Sequence, residues 1–528
     1  MISMNNKTSI LLPLLIALAF ACGMWVQRAF QKSAMPFLNP VPSKMESVMQ
    51  LIKKEYVEDV NIDSLCGEML PALFEKLDPH SVYISAEEYR DMTDPIRGSF
   101  EGIGVQFNIQ NDTIVIVQVI HGGPSEKLNI KAGDKIITVN DSLVAGVGMT
   151  NEKTIKLLKG PSGTKVTVGI KRFGTEKIIP FEITRGAVPI TSIDASYMLD
   201  NQTGYIAINC FSQNTHDEFL SAVSLLKSKN MKNLVIDLRE NGGGLLFAAI
   251  SLAEEFLREG DTIVFTKGRN EPAEYFVAEG SGTCGDLNLV VLINEYSASA
   301  SEIFAGAMQD NGRGTIVGRR SYGKGVVNED FPLRDSSVVR LTTKKFYTPC
   351  GRCIQKPYNG SLNDYDHELV NRYNHGEMRA ADSISFPDSL KFVTKTGKIV
   401  YCGGGIMPDV FVPMDTTLMS NAYKRITAEG HIYNFACAFA ENNRNHLQSL
   451  SAEEAYQYCK NNISCKKITD SETKKLLTEC YTAEVERLDK LMCYYIIRNI
   501  FGNTAFFELY NADDTTIQKA LEILSTQN

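Results

Sequence analysis

The sequence predicts a multi-domain protein whose centre is an α/β domain flanked by smaller domains. At 528 residues the chain is too long for one hydrophobic core. From Gly204 onward short apolar strands alternate with amphipathic helices, a pattern typical of a sheet covered on both faces. Between Phe100 and Thr184 short strands separated by Gly- and Asp-containing turns indicate a compact β-rich module. Its strands are predicted at Val105–Ile109, Thr113–Val119, Lys135–Val139, Val166–Arg172 and Lys177–Ile183, with a helix from about Asn151 to Leu158. Apolar residues at helical spacing predict helical domains at both ends of this arrangement.

These changes of pattern place the domain boundaries. The predicted parts are a signal or membrane-anchor segment with the start of a linker (1–34), an N-terminal helical domain (35–97), the β-rich module (98–186), the α/β core (187–413) and a C-terminal helical domain (414–528). Four strands of the core are predicted at Tyr205–Asn209, Leu234–Leu238, Thr262–Phe265 and Leu289–Ile293. A segment rich in Asp, Asn, Ser and Tyr, about 357–395, is predicted to be an insertion in the core.

Net charge excludes one class of function. The formal net charge is −8, and the Lys and Arg residues are scattered along the chain. Nucleic-acid binding needs a clustered positive surface, so we expect no nucleic-acid partner.

The N-terminus predicts export. Ile10 to Val26 is a largely apolar run of seventeen residues with Lys7 before it and Arg28 after it. This length fits either a short retained anchor or a signal sequence. Cleavage after Ala21, or lipidation of Cys22, are the alternatives to a retained anchor. Each alternative places the body of the protein in the cell envelope on the periplasmic side, and we expect an inner-membrane anchor.

The cysteines argue against a disulfide framework. There are twelve, and eleven without Cys22, an odd number that cannot all pair. Cys350 and Cys353 form a lone C-x-x-C, with Cys402 as the one candidate third partner. Structural zinc needs four ligands, so a local disulfide or free thiols is the better interpretation. We expect neither a metal nor a cofactor.

Ser299 is a candidate nucleophile. It follows the strand ending at Ile293 and begins a helix, where backbone N–H groups can stabilise a developing oxyanion. The same Ser299-x-x-Glu302 spacing is also a capping box, in which the serine has only a structural role. On this motif alone both interpretations stay open.

Lys324 is a candidate general base. It stands between Gly323 and Gly325, which permit close backbone approach, and in an extended segment it shares a face with Asn328. A lysine base must be neutral near pH 7, which requires a fall of about three units from its reference pKa of about 10.4. Burial can cause such a fall, although most lysines between glycines are solvated turn residues.

A glycine-rich loop, Asp237 to Gly244, follows a strand and precedes a helix. Its backbone can donate several N–H groups. It matches neither G-x-G-x-x-G nor the P-loop pattern, so nucleotide binding is not expected.

Taken together these segments resemble the carboxyl-terminal processing (tail-specific) proteases. The resemblance begins with Tyr296–Ile303 and the Gly323–Gly325 segment at the family's separation. Further similar segments, in family order, are Leu77–Tyr83, Gly98–Gly104, Arg239–Gly244, Tyr347–Pro349, Gly351–Gln355 and Gly404–Asp409. The matches extend from about residue 44 to 411, roughly two-thirds of the chain.

This resemblance implies a crotonase- or tricorn-like core and a Ser–Lys mechanism. It implies Ser299 as nucleophile and Lys324 as base, with the amide of Ala300 and that of Gly243 or Gly244 as the oxyanion hole. No histidine is required, and the seven histidines show no setting typical of a Ser-His-Asp triad. Where the family usually has a glutamine that orients the lysine, this chain has the shorter Asn328, which we interpret as support for Lys324.

The β-rich module resembles a PDZ domain. The resemblance implies that the loop Gly102-Ile103-Gly104-Val105 receives a substrate's C-terminal carboxylate, with the peptide added as a strand beside it. A module that merely packs on the core is the alternative.

The sequence therefore favours an ATP-independent serine endopeptidase that acts on envelope proteins and peptides with free, apolar C-termini. A second hypothesis is a non-catalytic PDZ adaptor with a relic protease core. A third, a lipid- or retinoid-binding protein, is disfavoured by the presence of both Ser299 and Lys324. Assembly into a homo-oligomer is left open.

Overall fold

The structure is a computed structural model and describes residues 44–110, 112–172, 175–384, 386–415 and 420–526. The chain divides into two compact units, one ending at Leu73 and one beginning at Phe74. The first unit holds helix α1 (Lys44–Glu55) and all but the last residue of helix α2 (Ile62–Phe74). The predicted anchor and Cys22 lie outside the described residues. Within the described ranges no helix combines the length and apolarity needed to cross a bilayer.

The second unit opens with strand β1 (Val82–Ile84) and helix α3 (Ala86–Arg97). Ser85 caps α3 in a reciprocal capping box with Glu88. The helix ends at Gly98, whose φ of +70° is a left-handed conformation that glycine adopts without strain. The predicted N-terminal helical domain, 35–97, is thus divided between the two units.

The β-rich module has the strands and the helix that the sequence predicts, within two residues. Its elements are β2 (Ser99–Gly102), β3 (Val105–Gln110), β4 (Thr113–Val119), β5 (Lys135–Val139), β6 (Ser142–Leu143), helix α4 (Asn151–Leu158), β7 (Lys165–Lys171), β8 (Ile179–Thr184) and β9 (Gly186–Pro189). The main sheet has the order β3-β4-β5-β7-β8, and alternate apolar side chains of these strands form a separate buried core. Strands β2 and β9 pair with each other and connect the module to the rest of the chain.

A six-stranded sheet forms the centre of the α/β core. Its elements, with the helices between them, are β10 (Ile193–Met198), β11 (Thr203–Ile208), α5 (Thr215–Lys227), β12 (Asn233–Asp237), α6 (Leu246–Glu254), β15 (Asn288–Ile293), α7 (Ala300–Asp310), β16 (Thr315–Gly318) and β21 (Val410–Phe411). The order is β10-β11-β12-β15-β16-β21, parallel except for β10. Strands β11 and β12 are buried along their whole length, as their uninterrupted apolar sequences predict.

A second, antiparallel sheet stands beside it. It contains β13 (Thr262–Gly268), β14 (Glu274–Val277), β17 (Val326–Pro332) and β18 (Val338–Tyr347), together with β1. The segment Thr262–Phe265, predicted as a strand of the α/β layer, therefore belongs to this second sheet instead. Its apolar pattern identifies a buried strand but does not say which sheet the strand joins.

The predicted insertion is compact. It contains the short helices α8 (Leu362–Asp366) and α9 (Glu368–Asn374) and the strand β19 (Lys391–Val393), which pairs with β20 (Ile399–Tyr401). The chain then returns to the edge of the main sheet as β21.

The C-terminal helices serve two hydrophobic cores. They are α10 (Asn421–Ala428), α11 (His431–Asn442), α12 (Arg444–Leu447), α13 (Ala452–Asn462), α14 (Ser471–Glu479), α15 (Thr482–Phe501), α16 (Asn503–Ala512) and α17 (Thr515–Ser525). Helices α10 to α15 enclose a core of their own. Ile517, Ala520 and Leu524 of α17 instead pack with Tyr205 and Val290 of the main sheet. The predicted C-terminal domain, 414–528, is therefore split, with its last helix completing the α/β core.

The two faces of the main sheet follow from side-chain alternation. Ile206 and Ile208 point into the core formed with α5, α6 and α7. Tyr205 and Ala207, one residue out of phase, point to the opposite face, where α17 covers them. The result is a three-layer arrangement in which β15 delivers the segment leading to Ser299 at the carboxyl end of the sheet.

Candidate active site

Ser299 lies between β15 and α7 in an unusual backbone conformation. Its φ is +57° and its ψ is −113°. Serines that cap helices elsewhere in the chain, Ser85, Ser420 and Ser451, have φ between −60° and −70° and ψ near 160°. Capping therefore does not require the conformation of Ser299. A left-handed non-glycine residue costs about 1–3 kcal/mol and is concentrated at functional sites. The geometry favours the nucleophile interpretation over a cap alone.

Glu302 connects the Ser299 and Lys324 segments. Its side chain is fully buried. One carboxylate oxygen accepts the amide hydrogens of Ser299 (2.8 Å) and Lys324 (2.9 Å). The other accepts the amide of Gly323 (2.7 Å) and the hydroxyl of Ser321 (2.5 Å). One carboxylate thus holds the backbones of both predicted catalytic residues. The Ser299-x-x-Glu302 spacing predicts only a capping box, because the contact of Glu302 with the Lys324 segment forms only in the folded chain.

Burial raises the pKa of Glu302 to about 7, against the lowering effect of the four hydrogen bonds that it accepts. All four donors point at its two oxygens, an arrangement that suits the ionised carboxylate.

Lys324 is half-buried, and its pKa lies below the ordinary lysine value. Burial is the largest cause, and the positive charge of Arg340 adds to it. The negative charges of Glu302 and Asp78 act in the opposite direction. The direction of the shift is the one that a neutral lysine base requires.

The turn Asp78–Ser81 faces this lysine. Asp78 accepts the amides of His80 (2.8 Å) and Ser81 (2.9 Å), and the hydroxyls of Ser81 (2.7 Å) and Thr342 (3.0 Å). Strand β1 pairs with β18 immediately after the turn and so carries it to the site. These residues belong to the Leu77–Tyr83 segment that resembles the family, but nothing in the sequence pattern alone indicates that they meet a lysine far along the chain.

Asn328, in strand β17, contacts this turn. Its side-chain amide donates to the carbonyl of His80 (3.3 Å) and to the hydroxyl of Thr342 (3.1 Å). These bonds connect Asn328 to the Asp78–Ser81 turn, and its support for Lys324 stays a prediction. The shorter side chain, in place of the family's glutamine, suits these two acceptors.

The glycine-rich loop packs directly on Ser299. Gly243 has a φ of +100°, and a Cβ on it would stand 2.8 Å from the Cβ of Ser299 and 2.9 Å from the amide nitrogen of Ala300. No other residue type fits this approach. The amide of Gly243 donates to the Asn241 side chain at 2.8 Å, and its carbonyl accepts the Phe211 amide.

Gly244 has a φ of +146° and lies against the backbone of Phe211, where any side chain would collide with the Phe211 carbonyl. Of the three predicted oxyanion-hole residues, Ala300 directly follows Ser299 and Gly243 packs on it, whereas Gly244 packs on Phe211. The Gly243 amide already donates to the Asn241 side chain. We therefore expect the Gly244 amide, together with that of Ala300, to form the oxyanion hole.

Asn241 joins the glycine-rich loop to the nucleophile segment. Its carbonyl accepts the amide of Ala298 (3.0 Å) and the hydroxyl of Ser301 (2.9 Å). Its side-chain amide donates to the carbonyl of Ile208 (2.8 Å), and the residue is fully buried. These bonds fix the loop and the helix start relative to each other.

A buried ion pair supports the opposite end of α7. Arg352, with a fully buried side chain, donates to Asp310 (2.7 Å) and to the Gln309 side-chain oxygen (2.6 Å). The amide of Cys350 also donates to Asp310. The Gly351–Gln355 segment, recognised by resemblance, is therefore structural at Arg352.

The cysteines of the described ranges are unpaired with one another. All cysteines that the structure describes are free thiols, among them Cys350, Cys353 and Cys402. Within the described ranges no cluster of His, Cys, Asp and Glu could hold a metal ion.

In the β-rich module, the loop Gly102–Val105 leads into β3, the edge strand of the sheet. Gly104 has a φ of +78°, and a Cβ there would stand 2.9 Å from Gly123. The carbonyl of Ile103 accepts both the amide and the hydroxyl of Ser125. These bonds fix the loop, and an edge strand can accept an added peptide strand.

Comparison with known proteins agrees with this arrangement. The family model for peptidase family S41 matches residues 202–366, and that for the PDZ domain matches residues 102–182. The carboxy-terminal-processing protease of Bartonella bacilliformis is 35% identical over 321 residues, which cover 59% of this chain and 72% of that protein. The carboxy-terminal processing protease CtpB of Bacillus subtilis is 34% identical, with 59% of this chain and 65% of that protein covered.

Among solved structures, a photosystem II D1 C-terminal processing protease is similar, with a TM-score of 0.35 and 23% identity over 70% of this chain and 92% of that one. The identity to the Bartonella protein, over most of its length, is sufficient to assign the family. The chain therefore belongs to the carboxy-terminal-processing serine proteases of peptidase family S41, and it contains a PDZ domain.

Proposed function

We propose that the protein is an ATP-independent endopeptidase that binds the C-terminal tails of envelope proteins with its PDZ domain and cleaves them with a Ser299–Lys324 dyad. The observation that carries the proposal is the buried Glu302 carboxylate, which holds the backbones of both residues while Ser299 keeps a strained conformation. The lowered pKa of Lys324 supports its role as the base.

The proposed reaction has two steps. Neutral Lys324 takes the hydroxyl proton of Ser299 as the serine oxygen bonds to the carbonyl carbon of the scissile peptide. The amides of Ala300 and Gly244 stabilise the oxyanion. The C–N bond then breaks, the lysine gives its proton to the departing amine, and an acyl-enzyme remains. In the second step Lys324 deprotonates a water, which hydrolyses the ester and regenerates the Ser299 hydroxyl.

Location is part of the proposal. The apolar run from Ile10 to Val26 and its flanking basic residues favour a position at the periplasmic side of the inner membrane, held by an anchor or by a lipid on Cys22. A substrate in the same compartment follows from this position.

A non-catalytic PDZ adaptor is the second candidate. It would need the PDZ domain but not the strain at Ser299 or the burial around Lys324. Since strain persists only where the surroundings enforce it, the strained backbone of Ser299 favours the enzyme.

The test is cleavage of an unstructured peptide with a free apolar C-terminus by the wild type, Ser299→Ala and Lys324→Ala. Both variants should lose at least a thousandfold in kcat/KM. Ser451→Ala is the matched control, because Ser451 caps a helix in an ordinary conformation, and its loss should cost only about 1 kcal/mol of stability. Cleavage by folded Ser299→Ala at the wild-type rate would refute the proposed dyad and favour the adaptor.

A further inference from the structure

The insertion lies against the Lys324 segment through a network of buried groups. The guanidinium of Arg372, in α9, donates to the carbonyls of Arg320 (2.7 Å) and Ser321 (3.0 Å). Glu377 pairs with Arg372 (2.8 Å) and bidentately with Arg320 (2.6 Å for each bond). All three charged side chains are at least nine-tenths buried. The insertion is therefore fixed to the chain directly before the lysine.

Tyr365, in α8, reaches the other side of the lysine. Its hydroxyl lies 2.9 Å from the Nε2 atom of His80 and accepts from the Gln355 amide at 3.2 Å. The Gln355 side-chain oxygen in turn accepts the amide of Gly325 at 2.8 Å. Tyr365 is only 4% exposed. One hydroxyl thus connects the turn before β1 with the residue that follows Lys324.

The protonation states fit this connection. Burial and the charge of Lys324 lower the pKa of His80 to about 4, so the ring is neutral near pH 7. The Tyr365 hydroxyl accepts from Gln355 and shares a second hydrogen bond with the neutral His80 ring, in which the ring tautomer sets the donor. A second buried lysine, Lys356, lies over the ring faces of Tyr322 (4.1 Å) and Tyr365 (4.0 Å). The insertion thereby covers polar groups next to Lys324, and its charged residues Arg372, Glu377 and Glu368 all have ion-pair partners.

We propose that the insertion, residues 357–395, is a clamp that shields Lys324 from water, and that Tyr365 is its positioning residue. This inference rests on the proposed function of Lys324 as the general base. The family model for peptidase family S41 ends at residue 366, so it includes α8 with Tyr365 but not α9 and the rest of the insertion. Tyr365 acts through His80 and Gln355 and does not contact substrate.

The titratable groups around Lys324 come from three elements. Glu302 lies in α7, Asp78 and His80 in the turn before β1, and Arg340 in β18. None of them is part of the insertion. Removing Tyr365 therefore changes the exposure of Lys324 to water and leaves these charges in place. More water favours the charged lysine, so the pKa of Lys324 should rise.

The test uses Tyr365→Phe and Tyr365→Ala in the full chain. Tyr365→Phe keeps the ring and should lower kcat several-fold with KM unchanged. Tyr365→Ala opens the shield and should move the acidic limb of the kcat/KM profile up by about one pH unit, a tenfold loss near pH 7 that disappears at high pH. Tyr373→Phe, in α9 of the same insertion, is the matched control, because its ring keeps its contacts with Arg379 and Lys424.

A second measurement does not depend on cleavage. Acetic anhydride labelling across pH, with the modified Lys324 peptide measured by mass spectrometry, gives the pKa of this amine directly. A higher pKa of Lys324 in Tyr365→Ala, with an unchanged pKa in Tyr373→Phe, supports the clamp. The clamp is overturned if the labelling profile of Lys324 in Tyr365→Ala equals that of the wild type. It is also overturned if Tyr365→Ala loses cleavage equally at every pH. Cleavage by Ser299→Ala would refute the proposed function separately, because labelling still reports the surroundings of Lys324.

Discussion

Strain at Ser299 is offset by bonds to its neighbours. The left-handed conformation costs about 1–3 kcal/mol. The hydrogen bond from the Ser299 amide to the buried Glu302 carboxylate involves a charged acceptor, and such bonds contribute about 1.5–3 kcal/mol. The two magnitudes are comparable, so the bond to Glu302 can offset the strain at Ser299. A solvent-exposed capping serine would relax to an ordinary conformation. The same carboxylate fixes the backbone of Lys324.

Arg340 should influence the pH dependence of cleavage. Its positive charge disfavours protonation of Lys324, and it pairs bidentately with Asp330 (2.7 and 2.9 Å). Arg340→Gln removes this charge and leaves Asp330 unpaired, and both effects favour charged Lys324. We expect the acidic limb of kcat/KM to move up by about 0.5–1 pH unit, with the rate unchanged well above it. The measurement is the pH profile of peptide cleavage.

Arg340→Lys is the control, since it keeps a positive charge at the same position. Its profile should stay close to that of the wild type. A downward shift in Arg340→Gln would mean that a group other than Lys324 titrates in that limb.

At the scale of residues, the sequence predicts the catalytic side chains but only part of their surroundings. Ser299, Lys324 and the glycine-rich loop are visible because their residue types and neighbours are unusual. The partners Glu302 and Asp78 were not visible as such, because their role depends on contacts made by the folded chain. The engagement of the Gly243 amide by Asn241 likewise follows from the loop conformation, which no residue pattern specifies.

Among the elements, helix α17 has a role beyond covering the sheet. Asp514 caps it with one carboxylate oxygen, which accepts the Thr516 amide (2.7 Å). The other oxygen accepts from Arg239 (2.7 Å), at the start of the glycine-rich loop. Arg239 also pairs with Asp237, at the end of β12. The last helix is thereby connected to the loop that packs on Ser299.

Asp514→Asn should lower cleavage by loosening this connection. The asparagine oxygen can still cap α17, but its amide cannot accept from Arg239. We expect about a tenfold lower kcat with little change in KM, and a loss of about 1–3 kcal/mol in the free energy of unfolding. Peptide cleavage and chemical denaturation measure the two effects.

Asp470→Asn is the matched control, because Asp470 also caps a helix, α14, by accepting the Thr473 amide. Asp470 does not belong to the connection between α17 and the glycine-rich loop. It should change stability slightly and leave kcat unchanged. Equal kcat in Asp514→Asn and the wild type would show that α17 only covers the sheet.

Element positions were predictable where the local pattern decides them. The strands of the β-rich module and β11, β12 and β15 have a clear apolar pattern between turn residues, and they lie within about two residues of their predicted positions. The sheet that β13 joins, and the core that α17 completes, were not predictable. An apolar face shows that an element is buried but not which element covers it.

At the scale of the whole molecule, the PDZ domain is connected to the protease core by paired strands. Gly102 is directly opposite Gly186 in the β2–β9 pair. The module's Gly133 also lies beside Glu441 of helix α11, since a Cβ there would stand 3.1 Å from its carboxylate. Lys159 of the module also pairs with Asp91 and Asp94 of helix α3. The edge strand β3 begins at Val105, the last residue of the Gly102–Val105 loop.

This arrangement predicts a dependence on the substrate's C-terminus. Backbone N–H groups of the loop would bind a free carboxylate with charge-assisted hydrogen bonds. Amidation removes the charge and presents a donor where an acceptor is needed. Losing one such contact costs about 1.5–3 kcal/mol, roughly ten- to a hundredfold in affinity. At low peptide concentration, we expect a peptide with a free apolar C-terminus to be cleaved roughly ten- to a hundredfold faster than the same peptide with an amidated C-terminus.

The source of this preference can be tested by removing the module. Because Gly102 and Gly186 face each other across paired strands, a two-residue Asn-Gly turn can replace residues 103–185 and keep the β2–β9 pair. The shortened protein should cleave both peptides at equal rates, since Ser299, Lys324 and Glu302 lie outside the removed segment. If full-length protein already cleaves both peptides equally, the PDZ domain does not select tails by their carboxylate. If the shortened protein keeps the preference, the carboxylate is recognised within the protease core instead.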